Sequence, residues 1–341
     1  MEVVAGHLSE SMSGNGSNYD NDNDFRKHYD RLIEACAELP PARVAVAHPC
    51  EARSLRSALD AADSELIEPV LIGPRKRIEQ AADELEVKLD DFEVINTKHS
   101  HDSAERAVQM ARASEVDAVM KGSLHTEELL EAVIDARRGL RTERRISHVF
   151  AVATRNYPKP LFITDAAINI EPSLSEKVDI VQNAIDLCRS LGIRRPRVAI
   201  LSAIETVNPK IPSTVDAAAL CKMRDRGQIT GGLLDGPLAF DNAISIEAAR
   251  IKKIKSEVAG RADILLVPDL ISGNVLVKQM TFLGGADAAG IVLGARVPVI
   301  LSSRSDSLRS RLASCALAVL QLHREAQPLA DDEQNENSEQ D

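Results

Sequence analysis

Short apolar runs alternate with amphipathic stretches along most of the chain, and this alternation predicts the secondary structure. Runs rich in Val and Ile predict buried β-strands, and helical spacing of apolar residues predicts α-helices between them. The predicted strands cover residues 43–48, 68–73, 92–95, 118–122, 146–152, 160–165, 198–202, 229–235, 263–268, 289–294 and 297–301. The clearest helices cover residues 103–112, 126–138, 174–191 and 307–322. Strands that alternate with helices indicate an α/β fold with a parallel sheet.

The two ends of the chain lack this pattern. Residues 1–24 are polar and Asn-rich and residues 329–341 are acidic, so both segments are predicted to be disordered tails. Residues 1–24 contain five acidic side chains and residues 331–341 contain six, and neither stretch has Lys or Arg. Because these acids account for the whole net charge of −11, residues 25–330 are formally neutral.

Composition argues against several classes of function. A neutral body predicts no basic face for nucleic acid, and the apolar runs are too short to cross a bilayer. The five cysteines form no C-x-x-C pair, which predicts free thiols and no metal site. We therefore expect a cytoplasmic protein that binds neither nucleic acid nor membrane, and a length of 341 residues favours two domains.

Polar residues follow several of the predicted strands. They include Lys121, Ser123, Thr126, Asp165, Asn169, Asp235 and Ser302. Ligands of α/β sheets bind beyond the carboxyl ends of the strands, so together these residues predict a binding cleft, although each is also typical of a turn or a helix cap. Asn274 lies at a predicted helix start, where it is either part of an anion site or the N-cap.

The segment after the last predicted strand contains the strongest candidates for catalytic residues. It places Ser303, Arg304 and Asp306 directly before the last predicted helix. A guanidinium group binds phosphate through two parallel hydrogen bonds, and a helix N-terminus adds partial positive charge. The carboxylate of Asp306 is either a general base or the helix N-cap.

At these residues the chain resembles the phosphate acetyltransferase and phosphate butyryltransferase family. The resemblance runs from about Arg43 to Ala318 and is most specific in five segments. They are residues 120–122, 164–169, 235–245, 260–269 and 303–307. At the last of these, Ser-Arg-x-Asp-Ser, the chain is closer to the butyryl-type members.

The resemblance implies a fold, an assembly and an activity. It implies two α/β domains with a cleft between them, as in isopropylmalate dehydrogenase, and a homodimer. We expect domain I to comprise residues 25–148 plus 290–328 and domain II to comprise residues 149–289. The implied reaction is acyl-CoA plus phosphate giving acyl phosphate plus CoA by direct transfer, with no metal and with coenzyme A as a substrate rather than a cofactor.

The resemblance also implies roles for individual residues. It makes Ser303 and Arg304 catalytic, and the motifs place Lys121, Asp165 and Asn274 along the cleft. Ser123, Thr126, Asn169, Asp235 and Ser302 complete the predicted substrate-binding set.

The chain departs from the acetyl-type members at two positions. Their general base is a carboxylate at the position of Ser310, so we assign the base to Asp306 instead. They also have an active-site Arg where this chain has Glu131-Ala132, and Arg137 and Arg138 are the candidates to replace it.

Other functions remain as alternatives. One is a dehydrogenase of the isopropylmalate or pyridoxal-precursor type on a similar fold, although the histidines show no H-x-x-x-H spacing. Another is an acyltransferase that takes its acyl group from a carrier protein. The third is a catalytically inactive CoA-binding subunit, which the serine at position 310 favours.

Overall fold

The computed structural model describes residues 25–301 and 306–325 of the chain. The strands are β1 (Ala42–Ala47), β2 (Ile67–Gly73), β3 (Glu93–Asn96), β4 (Ala118–Lys121), β5 (Ser147–Ala153), β6 (Leu161–Thr164), β7 (Arg197–Leu201), β8 (Leu233–Leu238), β9 (Ile264–Leu266), β10 (Asp287–Leu293) and β11 (Val299–Ile300). The predicted disordered tails and the predicted roles of Ser302, Ser303 and Arg304 lie outside the described residues.

Helices connect most of these strands. They are α1 (Lys27–Glu34), α2 (Ala52–Asp63), α3 (Arg75–Glu84), α4 (Ser100–Arg112), α5 (Thr126–Ile134), α6 (Leu174–Ser190), α7 (Pro212–Asp225), α8 (Phe240–Ile244), α9 (Ile246–Ile251), α10 (Leu270–Phe282) and α11 (Leu308–Glu325). In the described part of the chain, no helix is both long and apolar enough to cross a bilayer.

The described strands form one sheet in the order β3-β2-β1-β4-β11-β10-β5-β6-β9-β7-β8. The first five are parallel neighbours, and so are the last four. Between these groups, β10 is antiparallel to β11 and β5, and β5 is antiparallel to β6. The expectation of a purely parallel sheet was therefore wrong. The two parallel groups point in opposite directions.

The hydrophobic core differs between the two faces of the sheet. One face carries a single cluster of buried residues that runs from β2 to β7 and is covered by helices such as α2, α6 and α11. The other face carries two clusters, one under α4 and α5 and one under α8, α9 and α10. The boundary between these two clusters lies at β10 and β5.

The predicted strands are confirmed to within a few residues, and two predicted element boundaries differ from the structure by four residues. β8 begins at Leu233, whereas the apolar run predicted a start at Ile229. Gly231 has a φ of 77°, which extended backbone does not allow, so the strand begins after it. α5 ends at Ile134 because the carboxylate of Asp135 accepts hydrogen bonds from the backbone N–H groups of Arg137 and Arg138.

A buried ion pair links β9 to the chain before β6. Nζ of Lys159 pairs with the carboxylate of Asp263 and donates to the carbonyl oxygen of Arg261 at 2.9 Å. The Lys159 and Asp263 side chains are only 11% and 5% exposed. Burial lowers the pKa of Lys159, and the facing carboxylate partly offsets this effect.

Replacing Lys159 with methionine is expected to lower the free energy of unfolding by about 3–5 kcal/mol, because it removes the closest charged partner of buried Asp263. Among the described residues, only the backbone N–H of Arg197 at 2.7 Å and its guanidinium at 4.0 Å would then face this carboxylate. Urea denaturation measures this change. The matched control is Lys222→Met, whose pair with Asp225 is exposed and for which we expect less than about 1 kcal/mol. Equal losses in both variants would show that the buried pair has no special structural role.

Candidate active site

The carboxyl ends of β1, β4 and β11 meet at one edge of the sheet. These strands are adjacent and parallel, so the residues that follow them lie side by side. The chain runs from β1 outward to β2 and β3 and then returns to β4 on the other side of β1. Such a reversal of strand order opens a crevice at the carboxyl edge, where ligands of α/β sheets bind.

The turn after β4 is pressed against the end of β1. The backbone N–H of Gly122 donates to the carbonyl oxygen of Ala47 at 2.8 Å, and Oγ of Ser123 donates to that of His48 at 2.7 Å. A Cβ atom on Gly122 would lie 2.4 Å from the Ala47 oxygen, so only glycine fits this close approach. The turn therefore fixes Ser123 at the crevice.

Lys121 and Thr126 lie at the same edge. Nζ of Lys121 donates to the carbonyl oxygens of Gly122 and Leu124 at 3.2 and 3.1 Å, which places its positive charge over the turn. Thr126 is the first residue of α5. The structure thus brings together three of the predicted substrate-binding residues.

Arg137 and Arg138 lie at the other end of α5. Nine helical residues separate them from the turn, a length of about 13 Å at 1.5 Å per residue. Both line a cleft of about 1020 Å³ between α4 and α5, together with acidic residues such as Glu128 and Glu131. That Arg137 or Arg138 takes the role of the active-site arginine of acetyl-type members stays a prediction.

Asp306 lies just before α11 and is the first described residue after position 301. Its backbone carbonyl accepts hydrogen bonds from Arg53 on α2 at 3.3 Å and from Arg311 at 3.0 Å. Its carboxylate also lies close enough to buried Tyr29 to help raise the pKa of that phenol, after the larger effects of burial and of Asp287.

The side-chain cap of α11 is supplied by Ser307. Its hydroxyl accepts the backbone N–H of Ser310 at 3.1 Å, which is the typical contact of an N-cap. Ser307 is therefore the N-cap of α11, and the role of Asp306 as a general base stays a prediction. Ser310, at the base position of acetyl-type members, is only 3% exposed, and its hydroxyl accepts a hydrogen bond from that of Ser307 at 3.1 Å.

Asp165 and Asn169 form a buried hydrogen-bonded turn after β6. The Asp165 carboxylate accepts the backbone N–H groups of Ala167 and Ile168 at 2.9 and 3.0 Å and the side-chain amide of Asn169 at 2.6 Å. Burial raises the pKa of Asp165, and these hydrogen bonds act in the opposite direction. The contacts give the carboxylate a role in holding the turn, while substrate binding stays a prediction.

Asn274 belongs to the same turn. Its side-chain amide donates to the carbonyl oxygen of Ala166 at 3.3 Å. The N-cap of α10 is Asp269, whose carboxylate accepts the N–H of Ser272 at 2.8 Å. The interpretation of Asn274 as the N-cap was therefore wrong.

The predicted site residues fall into two groups because the strand direction reverses. β6, β9, β7 and β8 point away from the edge that holds the turn after β4, so the strand ends do not all converge. Asp235 lies on β8, six positions from β11 in the sheet order. The turn after β6 nevertheless extends toward the end of β11. Its residue Ile168 packs against the core cluster under α4 and α5, as does Leu301.

Three residues near this boundary were missed by the sequence reasoning. His148 and Phe150 on β5 lie on the face that carries two clusters, and Phe150 pairs with Gly290 of β10. The ring centroids of His148 and Phe150 are 4.2 Å apart. A histidine within an otherwise apolar strand was the available signal, because a polar side chain at a buried strand position needs an explanation.

Comparison with known proteins decides the family. Residues 101–319 match the phosphate acetyl/butaryl transferase family. The chain belongs to this family. It is 58% identical to the phosphate acetyltransferase of Rhizobium meliloti over 292 residues, covering 86% of this chain and 92% of the relative.

Other members extend the comparison. The phosphate butyryltransferase of Clostridium acetobutylicum is 40% identical over 294 residues, which cover 86% of this chain and 98% of the relative. The structure of a branched-chain phosphotransacylase from Enterococcus faecalis is similar with a TM-score of 0.72 and 30% identity, covering 83% of this chain and 99% of that one.

These relatives confirm the predicted family and the α/β fold. The chain is an acyltransferase with an α/β fold, and the dehydrogenase alternative loses its support. The closer resemblance to butyryl-type members at residues 303–307 stays a prediction.

Proposed function

We propose that the chain transfers an acyl group directly between coenzyme A and inorganic phosphate. The observation that carries the proposal is the meeting of the strand ends of β1, β4 and β11 at one edge, beside the boundary between two core clusters. That edge holds the turn at Lys121 and leads into the Ser-Arg-x-Asp-Ser segment. The family membership supplies the chemistry that this edge has to perform.

The substrates are proposed to bind in a cleft between two domains related to those of isopropylmalate dehydrogenase. Domain I comprises residues 25–148 plus 290–328, and domain II comprises residues 149–289. The division of one face of the sheet into two core clusters supports this cleft, because the strands between them lack a common covering helix layer. Half-buried Phe150 lies at this boundary.

The proposed roles follow from the reaction. Arg304 binds the phosphoryl group, and Ser303 donates to the developing oxyanion or to the sulfur. Asp306 removes the thiol proton when CoA attacks an acyl phosphate and returns it to sulfur in the reverse direction. Alignment of acyl group, phosphate and sulfur in one cleft supplies a high effective concentration.

Direct transfer without an acylated cysteine is supported by the state of the thiols. Burial raises the pKa of Cys50 to about 11 and those of Cys36, Cys221 and Cys315 to about 12, and it also raises that of Cys188. A protonated thiol is a poor nucleophile. None of the five is in a disulfide, which supports the proposed cytoplasmic location.

The proposed assembly is a homodimer that uses α10. This helix exposes Ile271, Val275 and Phe282, and Leu283 follows it with 83% of its surface exposed. A contiguous exposed apolar patch of this kind is typical of an interface between subunits. A second copy of the chain would bury it.

The test of the activity is a thiol-release assay with phosphate and acyl-CoAs of two to six carbons. We expect thiol release that requires phosphate, with stoichiometric acyl phosphate captured as its hydroxamate. The same assay ranks acetyl, butyryl and branched acyl groups. Binding of CoA without turnover on any acyl-CoA would instead identify an inactive CoA-binding subunit.

A further inference from the structure

His148 occupies the boundary between the two clusters. It lies on β5, opposite Val292 of β10, and Val292 in turn pairs with Val299 of β11. Its neighbours on β10 and β11 are apolar, its backbone N–H donates to the carboxylate of Asp165 at 3.3 Å, and the residue is only 1% exposed. A buried imidazole at this place is costly unless its polar atoms have a use.

The two ring nitrogens of His148 have different surroundings. Nδ1 is buried and has no hydrogen-bond partner in the described part of the chain. Nε2 leans over Gly290: a Cβ atom placed there would lie 2.8 Å from Nε2 and 3.1 Å from the carbonyl oxygen of Leu301. The missing side chain of Gly290 therefore leaves room for the His148 ring and places Nε2 near the carbonyl oxygen of Leu301.

Burial lowers the pKa of His148 to about 3, so the ring is neutral at pH 7 and carries one proton. We assign that proton to Nε2. A proton on the enclosed Nδ1 would be a buried donor without an acceptor, whereas an unprotonated Nδ1 leaves only an unpaired acceptor, which costs less. Nε2–H then lies near Leu301, which directly follows β11.

We propose that His148 is a further catalytic residue, whose Nε2–H donates a hydrogen bond to the carbonyl oxygen of the acyl group. This inference rests on the proposed acyl transfer. Phosphate oxygen forms a bond to the carbonyl carbon, the C–S bond breaks with its electron pair on sulfur, and His148 keeps its proton throughout. A neutral fixed donor stabilises the negative charge that builds on the oxygen in both directions.

Two substitutions separate this role from packing. His148→Phe keeps a ring of similar size beside the apolar residues of β10 and β11 but removes the donor. His148→Gln keeps an N–H donor at similar reach. We expect His148→Phe to lower kcat by about 10²–10³-fold, with the KM for acyl-CoA changed less than about threefold, and His148→Gln to stay within about tenfold of the parent.

Stability and CoA binding complete the experiment. We expect both variants to unfold in urea at the parent's midpoint or above and to bind CoA with unchanged affinity by calorimetry. An unchanged kcat in His148→Phe would overturn the proposal, and so would equal losses in both variants accompanied by weaker CoA binding. Absence of turnover in the parent protein would overturn the proposed function itself.

Discussion

Replacing Asp306 with asparagine is expected to lower kcat by about 10²–10⁴-fold at pH 7, the usual contribution of a positioned general base. The amide cannot accept the thiol proton of CoA. The loss should shrink as the pH rises toward the pKa of an ordinary thiol, about 8.5, because CoA then ionises without help. Rates of thiol consumption with acyl phosphate between pH 6 and 9 measure both effects.

Asp287→Asn is the matched control for this variant. Asp287 begins β10 and approaches the hydroxyl of Ser307 at 3.5 Å, so it is a second carboxylate beside the start of α11. We expect it to change kcat by less than about tenfold, since it supplies charge but no proton transfer. If Asp287→Asn caused the larger fall in kcat, and if that fall disappeared at high pH, the base would be Asp287 and not Asp306.

Replacing Arg304 with alanine is expected to lower kcat/KM for phosphate by about 10²–10³-fold. A guanidinium group holds phosphate through two parallel N–H groups, so Arg304→Lys should recover only a small part of the activity. Initial rates at varied phosphate with saturating acyl-CoA measure the change.

Arg309→Ala is the control for removal of a positive charge near the same helix. Arg309 pairs with Asp30 at 3.1 Å and both side chains are partly exposed, so its removal should change the rate less than about threefold. Equal losses in Arg304→Ala and Arg309→Ala would show that net charge, and not a phosphate contact, is responsible.

The sequence predicted the elements well because their signals are local. Apolar runs located the eleven described strands to within a few residues, and Lys121 and Asp306 already stood out by their positions at the ends of strands. The reversal of direction at β10 and β5 was not predictable, because an apolar run looks the same in either orientation. For this reason the expected convergence of all strand ends failed.

Side-chain roles depended on contacts that spacing does not reveal. Asp306 and Ser307 are adjacent and both are suitable caps, and only the hydrogen bond to Ser310 shows that Ser307 fills that role. Similarly, Asn274 and Asp269 are both typical of helix starts, and the contact to Ser272 distinguishes them. His148 was overlooked because its importance lies in its position beside Gly290 of a distant strand.

Exchange of labelled inorganic phosphate into acyl phosphate tests direct transfer most directly. An acylated enzyme would release phosphate from acyl phosphate and take it back without any CoA. Transfer within a complex of both substrates predicts rapid exchange when CoA is present and none when CoA is removed. Exchange at a similar rate in the complete absence of CoA would contradict the account.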